Sequence, residues 1–66
     1  MFYWVIQEVG GQIYIHGPWK TQEARDKRFE GISGGEVHKF NSFSSDQDTV
    51  RKEFMDERAK KAFRDL

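Results

Sequence analysis

The sequence predicts a small α+β domain of order β-β-α-β-α, with a three-stranded, mainly antiparallel sheet in strand order 2-1-3 and two helices packed on one face. Three observations predict it. Two runs rich in β-branched and aromatic residues, Phe2 to Val9 and Gln12 to His16, meet at Gly10-Gly11, which supplies the positive φ that a two-residue hairpin turn requires. A polar stretch behind Thr21 and a short apolar-polar run from Glu36 to Phe40 follow. The chain then enters a long run of helix formers at Asp46.

The hairpin register follows from its turn. Val9 pairs with Gln12, Glu8 with Ile13, Gln7 with Tyr14, Ile6 with Ile15 and Val5 with His16. Because side chains alternate along a strand, one face carries Phe2, Trp4, Ile6, Glu8, Ile13 and Ile15, and the other Tyr3, Val5, Gln7, Val9, Gln12, Tyr14 and His16. The first set is the better core. Gly17-Pro18 is expected to end the second strand, since Pro cannot donate to a ladder.

Thr21 can accept from an early helical N–H and so caps a helix from about Gln22 to Glu30, with Gly31 as the residue after its end. Ala24, Arg25, Arg28, Phe29 and Ile32 share the arc expected to face inward. Ser33-Gly34-Gly35 is a loop, Glu36 to Phe40 a third strand, and Phe43 an isolated apolar anchor in the connector that follows. Ser45, with Asp48 three residues on, resembles a capping box for a second helix that runs to the chain end. Its apolar arc holds Val50, Phe54, Met55, Ala59, Ala62 and Leu66, with Arg51 and Arg58 inside it; Asp48–Lys52, Asp56–Lys60 and Glu57–Lys61 are favourable pairs along it. The first strand is the most apolar on both faces, which places it at the centre of the sheet.

With 66 residues, the chain is a single domain, 1–66. A domain this small buries only about 60% of the surface its unfolded chain exposes, so a second copy would help to stabilise it. Aromatic residues make up 15% of the chain and must supply most of the burial. There is no Cys, which excludes disulfides and thiol nucleophiles. No long apolar run or secretory segment is present, so no membrane partner and a cytoplasmic location are expected. Lys plus Arg equal Asp plus Glu at 11 each, against the basic excess of most nucleic-acid binders.

These features point to a non-enzymatic protein–protein interaction module. Tyr3, Val5, Tyr14 and His16, on the hairpin face left free if both helices cover the other, are the expected partner-binding face. Homodimerisation through that face or through the uncharged edge strand Gln12 to His16 is its economical use. The competing expectation is nucleic-acid binding, with the sheet aromatics stacking on bases and Lys20, Arg25, Lys27, Arg28 and Lys39 contacting phosphates. Ion pairing is expected between Glu8, on the core face, and one inward arginine. No cofactor or metal is expected: His16 and His38 lie on separate strands, and two imidazoles do not fill a zinc site. The serines lack a nucleophile elbow, and Gly34-Gly35 lacks the residues of a phosphate loop.

Gly17-Pro-Trp-Lys-Thr21-Gln-Glu-Ala24 resembles the passage from sheet to helix in phage-integrase arm-binding domains and similar small DNA-binding sheets, over eight residues. Those domains read DNA with a sheet face rich in Arg and Lys, after three strands. Residues 1 to 19 here hold neither Arg nor Lys and form two strands, so no DNA-contacting residue carries over.

Overall fold

The computed structural model describes residues 1–64. The chain runs β1 (Phe2–Val9), β2 (Gln12–Trp19), α1 (Gln22–Gly31), β3 (Glu36–Ser42) and α2 (Gln47–Arg64). Both strand pairs are antiparallel and the order is β2-β1-β3, as the sequence predicts. Gly10 and Gly11, at φ 57° and 77°, form a two-residue turn with both central residues left-handed, and it sets the predicted register from Val9↔Gln12 to Val5↔His16.

The sheet departs from expectation at Gly17-Pro18. β2 does not stop there: it continues to Trp19, which pairs with Tyr3, and the register shifts between Tyr3 and Val5. The extra residue on β2 is accommodated as a bulge on an edge strand, the one sheet context that tolerates a missing N–H.

A larger correction concerns the layers. The helices lie on opposite faces of the sheet. Val50 and Phe54 of α2 pack with Trp4, Ile6, Phe40, Ile13 and Ile15. α1 lies over the other side, where the Arg25 guanidinium stacks on Tyr3 and Lys39 reaches over the Phe29 ring. Beneath α1, Val5 is fully buried. The physical reason is that one helix cannot cover both sides of a central strand whose Trp4, Val5 and Ile6 are all apolar. Each face of β1 takes its own helix.

α1 supplies little apolar surface of its own. Its buried residue is Arg25, and Phe29 and Ile32 are half-buried beside it. A buried guanidinium is tolerable only when its donors are satisfied. Arg25 Nη1 donates to Trp4 O (3.3 Å), Phe40 O (3.2 Å) and Asn41 Oδ1 (2.9 Å), and Nε donates to Asp26 Oδ1 (2.7 Å). Arg25 therefore ties β1, β3 and α1 together. Arg28, expected beside it on the inward arc, is exposed, because α1 is rolled to bring Asp26 toward Arg25 and Lys39.

The helix ends show the same mixture. Thr21 caps α1, its hydroxyl accepting from Ala24 N at 3.2 Å. Gly31 is the last helical residue rather than the one beyond, and Ile32 closes the helix through its N–H to Phe29 O. α2 is capped by Asp46 rather than Ser45: Asp46 Oδ2 accepts from Thr49 N at 2.9 Å and from Thr49 Oγ1 at 2.8 Å. Aspartate reaches the third amide as well as serine does, and Ser44 Oγ accepts from Asp46 N, fixing the turn before it. Phe43 is not an anchor; it is 83% exposed. None of the three expected pairs along α2 reaches salt-bridge distance among the described residues, and Leu66 lies outside them.

Candidate functional site

The expected partner-binding face is not open. Val5 is buried, Tyr3 carries Arg25 at 5.4 Å, and His16 Nε2 meets Gln7 Oε1 at 3.1 Å. Tyr14 is the exposed member, at 48%, with its hydroxyl donating to Gln12 Oε1. The five cations do not gather either. Arg25 is enclosed, Lys39 pairs with Asp26 at 3.6 Å, and Lys20, Lys27 and Arg28 are exposed on or beside α1.

The β2 edge, the second expected association surface, is occupied from within. In a two-residue hairpin Val9–Gln12 is a hydrogen-bonded pair and the pairs alternate from there, so the N–H and C=O of Ile13 and Ile15 point away from β1. Arg51 Nη1 donates to Ile13 O at 3.2 Å, and Gln47 Nε2 donates to Ile15 O at 3.1 Å. One turn of α2 separates these two side chains, and together they cover two outward carbonyls of the edge.

The same alternation turns the backbone groups of Val37, Lys39 and Asn41 outward from β3. Among the described residues, no hydrogen bond reaches them from outside the sheet. The sheet has one covered edge and one open edge. No sequence pattern within either strand announces the difference, because it is made by Gln47 and Arg51, far along the chain.

No family model, curated protein or solved structure matches this chain.

A second cluster sits where β1, β3 and α2 meet. The β1–β3 register sets Glu8 opposite Glu36, with His38 one pleat along on the same face. His38 Nε2 lies 3.1 Å from Glu8 Oε2 and 3.6 Å from Glu36 Oε2. An ionised carboxylate only accepts, so the Nε2 proton sits between them. The other oxygen of Glu8 accepts from Arg58 Nη1, which realises the expected pairing of Glu8 with an inward arginine. Phe54 packs against the His38 ring at a centroid distance of 5.5 Å. An open cleft of about 530 Å³ lies over the group, lined also by Glu57 and Lys61. Glu36 shares the face of His38 through the alternation of β3 itself, and the β1–β3 pairing brings Glu8 to both.

No helix among the described residues is long and apolar enough to cross a membrane.

Proposed function

We propose that this protein is a non-enzymatic protein–protein interaction module that self-associates, a second copy adding its β3 antiparallel to the β3 edge of the first. The observation that supports this reading most directly is the asymmetry of the sheet edges. α2 covers outward carbonyls of β2 through Gln47 and Arg51, while Val37, Lys39 and Asn41 of β3 keep their outward groups free for pairing. A strand edge pairs with itself across a two-fold axis, because both copies present the same pattern of donors and acceptors. A domain of this size also gains a longer continuous sheet. The cytoplasm is the proposed compartment, since a chain without Cys asks for no oxidising surroundings.

Sedimentation equilibrium from micromolar to millimolar protein tests the reading, together with amide exchange. The expected result is a monomer–dimer equilibrium in which the Lys39 and Asn41 amides gain protection as dimer forms. Val37→Pro removes an outward N–H without removing a bond to β1, so it abolishes the dimer and leaves the far-UV circular dichroism unchanged. A strict monomer at millimolar concentration overturns the proposal, as does a dimer that Val37→Pro leaves intact.

A further inference from the structure

We propose that Glu8, Glu36 and His38 form a binding site for a divalent first-row transition-metal ion such as Zn²⁺. One donor atom from each side chain lies within 4.8 Å of the other two. The separations from His38 Nε2, 3.1 Å and 3.6 Å, suit a shared ion. Donors at adjacent corners of a tetrahedron around zinc, at about 2.1 Å from it, stand about 3.4 Å apart. The shared atom of the cluster is an imidazole nitrogen. An all-carboxylate group would favour hard ions such as Mg²⁺, whereas imidazole with two carboxylates favours borderline ions.

The surroundings supply the rest of what such a site needs. The three donors stand on adjacent central and edge strands of one sheet, so their backbone spacing is fixed by the β1–β3 ladder. Phe54 holds the imidazole from one side. The cleft above leaves the remaining coordination positions to water or to Glu57, which lines it. In the metal-free protein the Nε2 proton takes the central position between the carboxylates. Coordination uses the Nε2 lone pair, so the ring proton moves to Nδ1 and the cation takes its place between the carboxylates. Arg58 is the competitor. It holds the second oxygen of Glu8, but its own side chain is 54% exposed, so it can turn into water without unpacking the core.

Isothermal titration calorimetry with Zn²⁺ alone, followed by proton–nitrogen NMR of the histidine rings, tests the site. The expected result is saturable binding at one ion per chain, with the His38 ring nitrogens shifting and those of His16 unmoved. Mg²⁺ should give no comparable response. Glu36→Gln, in a side chain that is 72% exposed, keeps the fold and weakens binding clearly; His38→Gln removes it. Arg58→Gln should tighten binding by roughly two- to fivefold, the scale of a lost, partly exposed ion pair. A purely structural role for the cluster predicts no gain in that variant. The proposal is overturned if Zn²⁺ shows no saturable binding, if binding survives His38→Gln or Glu36→Gln undiminished, if it depends on His16, or if Mg²⁺ reproduces it.

Discussion

Arg25 shows how much one buried charge can organise in a small core. Nε and Nη1 make four donor contacts, the guanidinium stacks on the Tyr3 ring, and the group ties α1 to β1 and β3. Charge-assisted bonds contribute about 1.5–3 kcal/mol each in mutational terms, and they are not additive. Arg25→Ala should therefore destabilise the domain by roughly 3 kcal/mol, which is a large part of what so small a fold possesses. Arg28→Ala, on the exposed side of the same helix, should change stability by less than about 0.5 kcal/mol. Urea melts of both variants decide the matter. Near-equal effects would mean that the Arg25 network is replaceable by water. The wheel that put both arginines inward could not separate them, because a helix with one half-buried Phe and Ile leaves its roll to polar contacts.

At the level of the elements, Asp46 at the cap of α2 and Asp26 within α1 carry a pH dependence. Thr49 donates to Asp46 through its side chain first and its backbone N–H second, and these bonds hold the Asp46 carboxyl below its ordinary 3.8. The Arg25 hydrogen bond, against desolvation and with the charge of Lys39, does the same for Asp26. A depressed folded value means that the unfolded chain binds the proton more readily. Both contributions are then present in full above pH 3.8 and are lost as pH falls through the lower folded values. Asp46→Asn keeps an acceptor for Thr49 but cannot titrate. Its stability should fall less steeply than the parent's below pH 3.8, a difference read from denaturant midpoints at stepped pH. Parallel acid limbs would remove Asp46 from the account. The elements themselves were largely legible in the chain, since the Gly10-Gly11 turn and the pleat are local rules. The face taken by α1 was not, because α1 turns a hydrogen-bonded arginine inward instead of an apolar stripe. Of the metal cluster, the Glu8–Arg58 pair could be read from helix and strand faces. Glu36 and His38 share a face by the pleat of β3, but their meeting with Glu8 depends on a pairing between strands that no tight turn connects.

For the whole molecule, the number of open sheet edges sets the size of any assembly. With β3 open and β2 covered, pairing between copies is isologous and closes at two. Uncovering β2 should change that limit. In Gln47→Ala/Arg51→Ala the outward carbonyls of Ile13 and Ile15 lose their partners, while both substituted positions are exposed and contribute little to the core. Each copy would then offer two edges, and edge-to-edge growth no longer closes. Light scattering on a concentration series should show the parent levelling off at dimer mass and the double variant continuing to larger species. Adding Val37→Pro to the double variant should bring the limit back to two, now through β2. If the double variant stays at the parent's mass, Gln47 and Arg51 are not what keeps β2 from pairing, and the bulge at Gly17-Pro18 becomes the feature that protects that edge.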